Sequence, residues 1–92
     1  VIELHTGGFA ELSDQVAAAR EVERIAGAAA YAKKKGLKVN AGHGLHYHNV
    51  QAIASISEIG ELNIGHAIIA QAIFSGLTGA VQEMKRLMLA VR

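Results

Sequence analysis

Three short segments with strand character, Val1–Leu4, Leu37–Ala41 and Glu61–Ile64, are each stopped by a break rich in glycine and histidine. The breaks are His5-Thr6-Gly7-Gly8, Gly42-His43-Gly44 and Gly65-His66. Short apolar runs bounded by such punctuation predict strands, and the breaks predict loops. The intervals carry helical periodicity instead. Val16, Ala19, Val22, Ala26 and Ala29 recur at helical spacing and predict one amphipathic stripe. Ser13 or Asp14 can cap that helix. Lys33, Lys34 and Lys35 suit its last turn, and Gly36 suits the position just past its end. A short helix is expected from Asn49 to Ser55. One or two turns are expected from Ile68 to Phe74, with a break at Gly76. A last helix is expected from Thr78 to Val91, burying Leu77, Val81, Met84, Leu87, Met88 and Val91.

The order β-α-β-α-β-α-α implies an α/β fold with parallel strands joined by right-handed crossovers. All 92 residues fit one small domain, 1–92. The strands read as apolar on both faces except near their C-terminal ends, where Glu3, His5, His43 and His66 fall. Ligands of α/β folds bind at those ends. Other classes drop out. Charge is near neutral and the cations are scattered apart from Lys33–Lys35, which argues against nucleic acid. There is no cysteine for a disulfide or a thiolate zinc site. The longest uncharged run, opening at Ala67 and stopped by Glu83, is interrupted by glycine and polar residues, which argues against a membrane span. The chain opens on VIELHTG without an initiator Met, so it is expected to be a piece of a longer protein.

Four motifs carry the chemistry. AGHG (Ala41–Gly44) sets His43 between two glycines. Glycines let backbone N–H groups approach a phosphate, and histidine exchanges protons near neutral pH. A tight turn whose histidine only caps the next helix is the other reading. NIGHAII (Asn63–Ile69) ends a strand in Gly65-His66 and starts a helix at once. A helix N-terminus there is an anion site; otherwise Gly65 serves only packing. Glu3 is a carboxylate inside an apolar strand, so it is partnered or functional. His5 shares its face, and a Glu3–His5 pair that merely holds the loop is the alternative. His46 and His48 could join His43 on a metal, but the spacing matches no standard zinc pattern. His48 and Asn49 suit the start of the next helix, Asn49 near its cap. Tyr47 is expected to pack.

IELHTG, GLKVNAGHGLHYHNV, ELNIGHAII and EMKRLML, in this order and spacing, resemble the C-terminal part of pyridoxine 5′-phosphate synthase. The likeness covers essentially the whole chain. It implies the last three βα units of an eight-stranded (β/α) TIM barrel. The implied reaction condenses 1-deoxy-D-xylulose 5-phosphate with 3-amino-2-oxopropyl phosphate to pyridoxine 5′-phosphate, phosphate and water. The resemblance further implies no metal or organic cofactor, a cytoplasmic location and a homo-octamer without nucleic-acid or membrane partners. By motif, Glu3 is similar to a glutamate that stabilises charge, and His43 to the proton-donating histidine. Gly44, Gly65 and His66 resemble the group holding the aminoacetone phosphate.

Two departures stand. The family often carries an arginine in the short helix after the third strand, where this chain has Gln71. The family's N-terminal strands supply a further catalytic histidine, a second catalytic glutamate and phosphate-gripping arginines, which have no counterpart here. The competing expectation is a non-catalytic partial barrel that self-associates. In that reading an apolar inner sheet face is exposed.

Overall fold

The computed structural model describes residues 1–92. Strands β1 (Ile2–His5), β2 (Val39–Gly42) and β3 (Ile59–Asn63) form one parallel sheet in the order β1-β2-β3. The chain is therefore a mixed α/β domain, as the alternating pattern predicts. Each strand ends one residue beyond the expected β1 and β2 and one short of the expected β3, so His5, Gly42 and Asn63 are strand residues. Helix α1 (Gly7–Ala10) follows β1 directly, in sequence expected to be loop. Helices α2 (Gln15–Lys34), α3 (Val50–Ala54) and α4 (His66–Leu89) complete the order. In α4 the φ of 76° at Gly76 interrupts the helix where the break was expected. No helix is long and apolar enough to cross a membrane.

The caps follow the sequence chemistry. Asp14 Oδ1 accepts from the Val16 N–H at 3.0 Å, satisfying one orphan donor of α2. Gly36, at φ 83°, turns the chain out of that helix. The stripe of α2 is shifted from its expected phase: Ile25, Ala29 and Ala32 are buried, whereas Val16 and Ala19 are exposed. The helix lies on β1 and β2 with its C-terminal half, so its first turns have no sheet beneath them.

One core holds the fold. Ile25, Ala29 and Ala32 of α2 meet Val39, Ala41 and Ile59 of the sheet, Ile53 of α3, and the loop residues Leu45 and Ile56. Each fully buried isoleucine contributes about 1.5–3 kcal/mol of apolar transfer energy. Ile2, Leu4 and Leu62 pack on the edge of this cluster. The opposite face of the sheet is polar, which corrects the expectation of strands apolar on both faces and of an exposed apolar inner face. Register explains it. Glu3 pairs with Asn40 and Asn40 with Glu61; one step on, His5 pairs with Gly42 and Gly42 with Asn63. Strand side chains alternate between faces, so these five polar side chains line one surface. A bulge at Gly60 makes this possible on β3. Val39 pairs with Ile59 but Asn40 already pairs with Glu61, and the extra residue changes which side the rest of the strand presents.

Helix α4 departs from its expected stripe. Ala80 and Met84 are buried and Leu87 and Met88 half-buried, but Leu77, Val81 and Val91 are exposed. Its principal packing partner is α3. Tyr47 Oη donates to the Ala80 carbonyl at 2.7 Å and Gln51 Nε2 to the Leu87 carbonyl at 3.1 Å, tying its second half to the α3 region. Tyr47, expected to pack, is half-buried and makes this hydrogen bond. The first half of α4 extends past this contact and leaves Ile73 and Phe74 81% and 85% exposed.

Candidate functional site

The polar ends of all three strands open into one cavity of about 580 Å³. Glu3, His43, Gly44, Gly65 and His66, the five residues singled out from the sequence, all line it, together with His5, Gly42 and Asn63. Residues up to 63 positions apart in the chain are therefore brought to one wall by parallel strands that end at the same level. Gln71 does not line the cavity; its amide lies beside Ser75 Oγ, one turn along α4.

Glu3 stands on the polar sheet face and is exposed to solvent, not buried. Its partner is Asn63, whose Nδ2 donates to Glu3 Oε1. The alternative pairing of Glu3 with His5 is not formed. Asn63 reaches Glu3 across β2 because Gly42 lies between them. A Cβ on Gly42 would meet the Asn63 carbonyl oxygen at 2.7 Å and the Asn63 Cβ at 2.9 Å. One row back, Asn40 Nδ2 donates to Glu61 Oε2 at 2.9 Å. Each strand carboxylate on this face thus has an amide partner.

His5 pairs instead with His43. The two rings stack with centroids 4.4 Å apart and planes inclined by 25°. His43 has a φ of 96°, a left-handed conformation that costs a non-glycine residue on the order of 1 kcal/mol. Its carbonyl accepts a 2.7 Å hydrogen bond from Thr6 Oγ1, and Thr6 is fully buried. The Thr6 N–H in turn donates to the Gly42 carbonyl at 2.8 Å. Thr6, which sequence reasoning passed over, clamps the loop from both sides.

Gly44 continues the turn at φ 74°, and a Cβ there would lie 2.7 Å from the Ala10 Cβ of α1. Helix α1 is thus the floor on which the loop is moulded. Asn49 precedes α3 without capping it. Its side chain ties the loop back: Oδ1 accepts from the His46 N–H at 2.7 Å and Nδ2 donates to the Gly44 carbonyl at 3.3 Å. His46 Nδ1 accepts from the His48 N–H at 3.1 Å. Nowhere do three or more histidine, aspartate or glutamate side chains gather as metal ligands would.

The third wall is the start of α4. Gly65 precedes its first turn, and no side chain caps it. Helix N-termini carry partial positive charge and unsatisfied N–H donors, and Gly65, His66 and Ala67 present this end to the cavity. A carboxylate, a histidine in a strained turn and an uncapped helix start therefore share one space. That set can hold an anion and move a proton beside it. The family model described as pyridoxal phosphate biosynthesis protein PdxJ matches residues 1–90.

Proposed function

The chain belongs to the PdxJ family of pyridoxal phosphate biosynthesis proteins, the pyridoxine 5′-phosphate synthases, and on that footing we propose that its cavity serves the ring-forming condensation of the pathway. The reaction joins 1-deoxy-D-xylulose 5-phosphate and 3-amino-2-oxopropyl phosphate and releases pyridoxine 5′-phosphate, phosphate and water. The observation that carries this reading is the convergence of Glu3, His43 and the α4 N-terminus on one cavity. Schiff-base formation, dehydration and ring closure each require proton movement, and a histidine and a carboxylate facing the same space can provide it.

In this reading His43 donates protons and Glu3 stabilises positive charge as it develops. Gly44, Gly65 and His66 hold the phosphate of the aminoketone, largely through backbone N–H groups. The three strands act as the last three βα units of a (β/α) barrel whose interior is the polar sheet face. Support comes from the parallel order, from the ligand-binding position at the strand C-termini, and from amide-partnered carboxylates where a bare sheet would be apolar. The enzyme works without metal or organic cofactor, in the cytoplasm, as an octamer.

The 92-residue chain alone is proposed to be inactive. Three strands supply part of such a site, and the resemblance places further catalytic groups on strands preceding β1. Self-association is a second property of the isolated chain, favoured by a specific observation: Ile69, Ile73, Phe74 and Leu77 of α4 are exposed, and β1 and β3 are open sheet edges. The deciding test is product formation from the two phosphorylated substrates by the complete enzyme and by residues 1–92. Product from the complete enzyme alone supports both proposals. No product from either overturns the assigned reaction, and product from the short chain overturns its inactivity.

A further inference from the structure

We propose that His5 is a positioning residue for His43, acting through the stacked pair and not through a proton of its own. The proposal rests on the reading of His43 as the proton donor. His43 sits between two glycines on a turn of unfavourable φ, so nothing on its own loop fixes the ring. Backbone in such a conformation persists only when its surroundings over-determine it. Here two contacts on His43 itself come from the β1–α1 junction. Thr6 Oγ1 holds the His43 carbonyl at 2.7 Å, and the His5 ring lies 4.4 Å from the His43 ring, centroid to centroid.

His5 is itself fixed. Its Nδ1 accepts the Gly7 N–H at 3.2 Å, which places the ring proton of neutral His5 on Nε2. Gly7 completes the device by lacking a side chain. A Cβ there would lie 2.5 Å from His5 Cε1 and 2.9 Å from His43 Cδ2. The His5-Thr6-Gly7 sequence therefore supplies one ring, one hydroxyl and one empty space, all directed at His43. A flat ring of the right size at position 5 is sufficient for this role. An acid–base role would require the imidazole itself.

The test uses His5→Ala, His5→Phe and Gly7→Ala in the complete enzyme, with kcat and KM measured on the two phosphorylated substrates. Histidine ring resonances are followed by NMR as a readout independent of turnover. His5→Ala and Gly7→Ala are expected to lower kcat on the order of 10- to 10²-fold with KM little changed, because the reacting group is displaced and not removed. His5→Phe is expected to restore kcat close to that of the unsubstituted enzyme. The ring-current shift of the His43 resonances is expected to vanish in His5→Ala and to persist in His5→Phe. Gly7→Ala alters neither histidine, so it answers the question even where His5→Ala fails to fold. Unchanged kcat in both alanine variants, or a phenylalanine variant as slow as His5→Ala, overturns the proposal. If the unsubstituted enzyme forms no product, the assigned reaction falls. The His43 resonances then decide the stack by themselves, and their indifference to His5→Ala overturns it.

Discussion

Asn63 on β3 donates to the Glu3 carboxylate on β1, across a β2 residue, Gly42, that has no side chain to stand between them. Two strands that are not neighbours in the sheet are thereby linked at the cavity wall. Hydrogen bonds to charged groups are worth about 1.5–3 kcal/mol, and about 1.4 kcal/mol corresponds to a factor of ten in rate. Asn63→Ala should therefore lower kcat by roughly 10- to 10²-fold in the complete enzyme, with the fold intact by circular dichroism. Steady-state kinetics check it. Wild-type kcat would show that Glu3 needs no partner.

His43→Ala should reduce turnover far more than substrate affinity. Removing a proton donor costs on the order of 10²- to 10⁴-fold in rate. Single-turnover kinetics with both phosphorylated substrates give the comparison. An unaltered kcat with a raised KM would assign His43 to binding.

Gly44→Ala should damage the loop twice over. The backbone there is left-handed at φ 74°, and the added methyl would fall 2.7 Å from the Ala10 Cβ. A loss of roughly 1–3 kcal/mol in urea unfolding is expected, with weaker protection of the fold by inorganic phosphate. Gly8→Ala is the control, since a Cβ there meets nothing within 4 Å.

Phe74→Asp should weaken self-association of the 92-residue chain, because it places a charge in the middle of the exposed apolar run of α4. Sedimentation velocity at micromolar concentration reads the result. Association unaffected by the charge would move the contact elsewhere, with the sheet edges next to be tested.

Acid should loosen the second half of α4 slightly. The hydrogen bond from Arg86 holds the Glu83 carboxyl below its ordinary range, assisted by the guanidinium charge and opposed by desolvation. A depressed carboxylate stabilises the fold above its unfolded value and loses that contribution as pH falls through the folded one. The pair is exposed, so the effect is small and screened by salt. Glu83→Gln should flatten the acid limb of the stability curve between pH values above and below the carboxylate range. An acid limb identical to wild type would show that the pair contributes nothing.

The cavity residues were legible because each interrupts a pattern. Glu3 breaks an apolar run, and His43 and His66 follow glycines at strand ends. Their partners were not legible. Asn63, Asn40 and Glu61 look like ordinary surface residues until register sets them in line. Register depends on a bulge that sequence periodicity does not reveal. Helix α1 was hidden by its two glycines, which read as loop; it is Phe9, buried in the core, that fixes it. The ends of the α2 and α4 stripes were misjudged for one reason, whereas Val81, exposed between buried Ala80 and Met84, was a matter of phase. A helix repeats its pattern along its whole length, but the surface beneath it does not extend that far.

The Gly60 bulge gives β3 one residue more than β2 spends over the same distance. Oddness, not identity, is what this glycine contributes. Were all five residues of β3 to alternate regularly from Ile59, with Gly60 taking an ordinary place in the pleat, Leu62 would point towards water and Glu61 and Asn63 into the oil of the core, and Glu3 would lose its companion. A bulge that touches no reacting group thus sets the parity of the strand. The chemistry of the cavity is written in side chains, but which side of the sheet it is written on is decided by a count.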